Sequence, residues 1–414
     1  MYTQQKSFIV LLFILLLFAL FVQEHAVKAD LTPQKYINIP PSNPVLMYEF
    51  NKIAPFNKKS FRLEDQPEKW RSAMSALGQQ LELAKVRSVY FVHGTFVGND
   101  PAETISWVKQ YVYPELSPEY EKTITNFIKK VNDKTYADVG NYTDGYVGLF
   151  KKAIGNKIHC ENFIWSSANY HLARLEGVVC LTKALAWDIN QRVPTPGERI
   201  LLIGHSHAGQ LFALLTNFLA QSPGIKDLRN IINFDKVNCQ DNKEDIANFD
   251  ECLQKIRQVQ LDIVTFGTPP RYGWGDGNYR LLNIINHRGK EYTGGSLEGV
   301  LWTKDGDYIQ QWGIAGSDSF VLQKEEENKK LDILLGDGCN INSWKKNAEV
   351  KMRVPHYGKT LLVDYKDNSW FWWNAHKTLF GHGVYTQYEK MLFNTQLIVD
   401  ELYLDSGAGE LSTK

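Results

Sequence analysis

"RILLIGHSHAGQLFALL", residues 199–215, reads as a strand, a sharp turn and a helix in direct succession. Its opening, "RILLIG" (199–204), is apolar almost throughout and lacks the alternation of a strand with one wet face, so it reads as a short buried strand. Further on, Leu211, Leu215, Phe218 and Leu219 recur at helical spacing until Pro223 and Gly224 stop the pattern. Between strand and helix stands Gly204-His205-Ser206-His207-Ala208-Gly209, a serine in a sharp turn with small residues on both sides. A buried strand that turns straight into a helix is the repeating unit of a parallel sheet.

The same grammar recurs on both sides of this stretch. "VRSVYFVHGTF" (86–96) is a second buried strand, ended by Gly94, and "KIHCENFIWSS" (157–167) contains a third. In "ANYHLARLEGVVCLTKALAWDINQRV", Leu172, Leu175, Val179 and Ile189 share one helical face, and "PTPG" then stops the helix. "VQLDIVTFGTPP" (259–270) and "YRLLNIINHRG" (279–289) are two more strands. Tyr388, Met391, Leu392, Thr395, Ile398 and Leu402 mark a final amphipathic helix. The expected fold is α/β, a mostly parallel central sheet with helices on both faces and inserted loops. Residues 30–85 read as an N-terminal extension with loop signals in "NIPPSNP", and 86–414 as the main domain, with an insertion at about 225–258.

Composition narrows the class of partner. Lys plus Arg and Asp plus Glu each number 46, so the formal net charge is zero and no basic block resembles a nucleic-acid surface. Hydrophobic residues make up 43%, enough for a sizeable core. The first 29 residues differ: a cationic start, the apolar run Phe8–Val22, and Val27 and Ala29 ahead of Asp30. This pattern reads as a cleaved secretory signal and implies a secreted or periplasmic protein; the alternative is a membrane anchor through residues 8–22. Five cysteines follow no zinc or redox spacing. Cys239 with Cys252 would close a short loop, and Cys160 with Cys180 is a second possible pairing. Asn141-Tyr142-Thr143 is a glycosylation sequon.

A serine hydroxyl becomes a nucleophile only when a base removes its proton, and a strand-to-helix turn projects it from the backbone. The crowding in such a turn explains Gly204 and Ala208; the pattern is G-x-S-x-A, where the nucleophile elbow is usually G-x-S-x-G. The bland reading of Ser206 is a helix N-cap. Acyl transfer also needs two backbone N–H groups aimed at the developing oxyanion. His207, just after the serine, and Thr95, just after His93-Gly94, are the candidates.

"FVHGTF", "GHSHAG", "VTFGTPP" and "FGHGVYT" follow one another in the order found in lipases and esterases of the α/β-hydrolase superfamily, which the chain resembles over roughly residues 86 to 400. The resemblance implies a triad in the order Ser, acid, His. It favours His382, between two glycines before the last helix, over His376 as base. Asp307, in an acid-x-aliphatic pattern with Ile309, is the implied acid, with Asp318 as the alternative and Asp305 nearby. His205 and His207 read as turn or packing residues. The implied activity is hydrolysis of carboxylic esters, small-molecule or lipid, without metal or cofactor. Alternatives are an acyltransferase or phospholipase with the same triad, or a non-catalytic binding protein on this scaffold. The aromatic stretch "NSWFWWNAH" (368–376) suggests an acyl pocket, a membrane-surface contact or a buried cluster.

Overall fold

The computed structural model describes residues 53–55, 63, 65–95, 97–101, 117–239, 248–269, 271–287, 306–312, 325–335, 357–365 and 379–404. The signal or anchor read at 1–29, Asp305, Asp318, Cys339 and the stretch 368–376 with His376 lie outside them. No helix among the described residues is long and apolar enough to cross a membrane.

Seven strands form one sheet in the order β1-β7-β6-β5-β4-β2-β3, and every neighbouring pair is parallel. They are β1 (Ile53–Pro55), β2 (Val86–Val92), β3 (His159–Phe163), β4 (Arg199–His205), β5 (Gln260–Phe266), β6 (Tyr279–Asn286) and β7 (Lys359–Asp364). The helices are α1 (Pro67–Leu83), α2 (Pro118–Tyr136), α3 (Asp144–Ile154), α4 (His171–Gln191), α5 (Ala208–Ala220), α6 (Ile225–Ile231), α7 (Phe249–Ile256), α8 (Tyr308–Trp312), α9 (Glu325–Leu335) and α10 (Met391–Val399).

Side chains of the central strands β2, β4 and β5 alternate between two hydrophobic layers. Leu202 and Ile263 join the cluster that holds Leu175 and Val179 of α4 and Phe212 and Leu215 of α5. Leu201, Ile203 and Val264 face Trp70 and Met74 of α1, Phe150 of α3 and Val399 of α10. A period of two with both faces covered is what makes these strands apolar throughout. The segment read as an N-terminal extension supplies β1 at the sheet edge and α1 in the second layer. The segment 225–258 supplies α6 and α7, with α7 packed on α4.

One polar knot crosses the start of the sheet. Asp262 on β5 is fully buried, accepts two 2.7 Å hydrogen bonds from the Arg280 guanidinium, and also meets Arg199 at 3.3 Å and the Tyr403 hydroxyl at 2.9 Å. It ties β5 to β4, to β6 and to the helical turn Asp400–Leu404 that follows α10. Removing one partner of such a buried pair costs about 3–5 kcal/mol.

The cysteine pairing read from the sequence needs correction. The disulfide joins Cys180 to Cys239, not Cys239 to Cys252 or Cys160 to Cys180. The reason is helix geometry: Cys180 lies on the flank of α4 beneath the chain that leaves the 3-10 turn Phe234–Lys236, whereas Cys252 on α7 is buried beside Ala186 and Trp187. The sequon asparagine lies inside the protein. Asn141 is fully buried, and its Nδ2 donates to Asp133 (2.8 Å) and to the Ala137 carbonyl (3.2 Å). Thr143 is occupied as the N-cap of α3, its hydroxyl accepting from the Tyr146 amide.

A non-reducing digest is expected to yield a peptide linked through Cys180 and Cys239, with Cys160 and Cys252 alkylated only after unfolding. Cys239→Ser should lower stability by about 2–4 kcal/mol, since the bond closes a long loop of the unfolded chain. A Cys239–Cys252 peptide in folded protein would refute this arrangement.

Candidate functional site

The loops that leave the carboxyl ends of β2, β4, β5 and β6 meet at one point, the edge of an open α/β sheet where ligands bind. At its centre Ser206 follows β4 with φ of +55°, in the left-handed region that non-glycine residues rarely enter. Holding a serine there costs about 1–3 kcal/mol, so neighbouring structure must enforce it. It does so through β5. The Ser206 amide donates to the Phe266 carbonyl at 2.8 Å, and the Ser206 carbonyl accepts from the Thr268 hydroxyl at 2.7 Å.

The small residues around the serine have separate reasons. A Cβ on Gly204 would lie 2.8 Å from the Ala208 Cβ and 2.5 Å from the Phe212 ring, so the glycine is what gives Ala208 its room. A Cβ on Gly209 would meet the Thr268 side chain at 2.3 Å. Gly94 closes the turn from the neighbouring strand. Val92 is in register with Gly204, and a Cβ on Gly94 would approach the Ser206 Cβ to 2.7 Å.

Thr95 is thereby brought beside the serine turn. Its hydroxyl hydrogen-bonds with Nδ1 of His207, clasping the two loops that carry the candidate oxyanion amides. Among the described residues no hydrogen bond takes up the amide of Thr95 or of His207.

Asp307 and His382 form a second unit. His382 Nδ1 donates to both carboxylate oxygens of Asp307, at 2.8 and 3.0 Å, which leaves Nε2 to carry the lone pair. That nitrogen is buried and has no hydrogen-bond partner. Asp307 is itself fully buried, and its Oδ1 caps the one-turn helix α8 by accepting from the Gln310 amide at 2.9 Å. Its Oδ2 accepts from the Tyr385 hydroxyl at 2.8 Å. Burial, joined by the charge of Asp307, pushes the Tyr385 phenol well above its ordinary value, so Tyr385 stays a donor.

Backbone contact between glycines sets the spacing of this unit. A Cβ on Gly381 would come within 2.1 Å of the Gly306 carbonyl, and one on Gly306 within 2.3 Å of the Asn286 carbonyl. Asn286 then donates to the Gly381 carbonyl at 3.0 Å. Gly267, at φ of +58°, leaves the space that the Asp307 carboxylate occupies.

His205 joins the two units. Its Nε2 donates to the His382 carbonyl at 2.7 Å, and the two rings stand 4.6 Å apart. Ser206, which follows directly, and His382 are both buried, at 3% and 4% exposure. His205, which the sequence reads as a turn or packing residue, also anchors the loop that carries His382. Sequence reasoning missed Tyr385 and Asn286. The late Tyr385, three residues after His382, was the available signal.

Three histidines at the site are held neutral. Burial, with help from the Lys129 charge, pulls His93 down to about 3. His205 is lowered well below its ordinary value by burial and then by His382. His207 is lowered by burial, followed by Arg174 and His382. No group of three or more His, Cys, Asp or Glu side chains stands together as a metal site among the described residues. The chain matches no protein-family model, no curated protein and no solved structure.

A histidine that is neutral when folded but protonates near pH 6.5 when unfolded binds fewer protons in the native state. Its contribution is intact above that pH and is lost as pH falls toward the folded value. Urea unfolding should therefore show stability dropping below pH 6.5, with a slope approaching about 1.4 kcal/mol per pH unit for each of His93, His205 and His207. A flat stability profile from neutral pH to about pH 5 would refute the buried-neutral assignment. Gly94→Ala should displace Ser206 and cost about 1–3 kcal/mol, read as a lowered melting temperature; unchanged melting would show that the turn is not packed as described.

Proposed function

We propose that this chain is a serine hydrolase of the α/β-hydrolase type that cleaves carboxylic esters, with Ser206 as nucleophile, His382 as general base and Asp307 as orienting acid. Two observations support this reading: a left-handed Ser206 that directly follows His205, whose imidazole bonds the His382 carbonyl, and a buried His382–Asp307 pair whose imidazole keeps Nε2 without a partner. A base needs that nitrogen unprotonated and directed to the hydroxyl, and a carboxylate on Nδ1 supplies the tautomer.

In the reaction, Nε2 takes the Ser206 proton as Oγ attacks the ester carbonyl. The Thr95 and His207 amides would hold the oxyanion, worth about 3–4 kcal/mol for one such donor. The imidazolium that forms is stabilised by Asp307 and returns its proton to the leaving alcohol. Water, activated by the same base, then releases the acid from the acyl-enzyme. Tyr385 acts through Asp307 by fixing the carboxylate. The alanine at position 208 weakens the sequence pattern but not the physical case, because Gly204 gives it room.

A fluorophosphonate probe should label Ser206 and no residue in Ser206→Ala. Asp307→Asn should fold normally yet reduce ester turnover by roughly 10⁴-fold, the cost of losing the correct tautomer. Folded protein that stays unlabelled, or an Asp307→Asn variant that retains full turnover, would sink the reading.

A further inference from the structure

Helix α2 presents an apolar stripe to solvent. Tyr120, Phe127 and Val131 are 68%, 66% and 46% exposed. They stand at i, i+7 and i+11, which puts them on one face of a helix. The other large exposed hydrophobic side chains among the described residues, Leu83, Val193, Ile333 and Leu404, come from four different segments, whereas this trio shares one line of one helix.

The opposite face of α2 is anchored. Thr125 and Lys129 are buried, Lys129 pairs with Asp133 and reaches the Asn141 side chain at 3.4 Å, and Asn132 donates to the Gly98 carbonyl at 2.9 Å. Gly98 lies three residues beyond Thr95, and Gly140, just past the helix, sits 3.4 Å (as a Cβ) from the His205 ring. The helix is thus fixed by one face at the rim of the candidate site and bare on the other.

The charges on the bare face choose the partner. Lys134 continues the line of Phe127 at i+7, and Lys130 flanks it at i+3; both are exposed. Asp133, the acid beside them, is committed to Lys129 and Asn141. The remaining acids, Glu119 and Glu121, are confined to the first turn. Aromatic and aliphatic side chains bordered by lysines are what an interfacial helix lays on anionic headgroups. A second copy of the chain is a poor fit, since three side chains fall well short of the roughly 1,200 Å² a stable pair buries.

We infer that α2 is a docking surface for an anionic lipid bilayer, with Tyr120, Phe127 and Val131 entering the headgroup region and Lys130 and Lys134 pairing with lipid phosphates or carboxylates. The inference stands apart from the catalytic assignment, because docking needs no reaction at Ser206.

Hydrogen–deuterium exchange of the full chain, with and without vesicles, tests it at the helix itself. Vesicles containing phosphatidylserine should slow exchange within residues 118–136, in wild type and Ser206→Ala alike, and phosphatidylcholine alone should not. Phe127→Ser, and Lys130→Glu combined with Lys134→Glu, should each raise the lipid concentration needed for half protection by roughly tenfold or more. These positions are exposed, and unchanged melting temperatures would verify that the variants fold. Added salt should weaken the effect. Absence of protection in 118–136, protection indifferent to lipid charge, or protection that grows with protein concentration without lipid would each overturn the inference, the last in favour of self-association.

Discussion

The left-handed backbone of Ser206 is the constraint on which this end of the molecule depends. An ordinary residue leaves that conformation unless hydrogen bonds and packing over-determine it. Here the last residue of β5 and the loop after it pin the serine, through Phe266 and Thr268, while Gly94 presses from the loop after β2. The parallel sheet is therefore more than a scaffold. Its register delivers a carbonyl, a hydroxyl and a glycine to one residue at the same height.

The second half of the site is built from loops, and its rigidity comes from backbone contact. Gly306 and Gly381 allow the segments bearing Asp307 and His382 to touch without intervening side chains. Tyr385 and Asn286 then fill the polar needs around the carboxylate and the loop carbonyl. A buried carboxylate is costly unless its lone pairs are occupied. His382, Tyr385 and the Gln310 amide occupy those of Asp307. The oriented imidazole is thus a by-product of satisfying a buried charge.

The sheet was legible because its signal is local: strands buried on both faces are apolar throughout, and β2, β4, β5 and β6 announce themselves that way. Ser206 was legible for the same reason, as a turn crowded by small residues. Asp307 and His382 came from order along the chain, which a resemblance supplies and periodicity does not. What stayed hidden was long-range. Nothing near His205 signals that its imidazole holds a carbonyl 177 residues away. Nor does cysteine spacing show that Cys180 on one helix face meets Cys239 while Cys252 turns into the core. Pairings of that kind depend on which helix faces meet after folding.

Asn141 offers a last consequence, one of timing. The side-chain nitrogen that a glycosyltransferase would modify is sealed inside the protein, donating to Asp133 and the Ala137 carbonyl. A sugar on that atom and the native packing exclude each other. If the chain enters a glycosylating compartment, the two processes race over one side chain while it is still being synthesised. Whichever reaches Asn141 first would determine the fate of that copy, and sugar occupancy there would report how early this region closes.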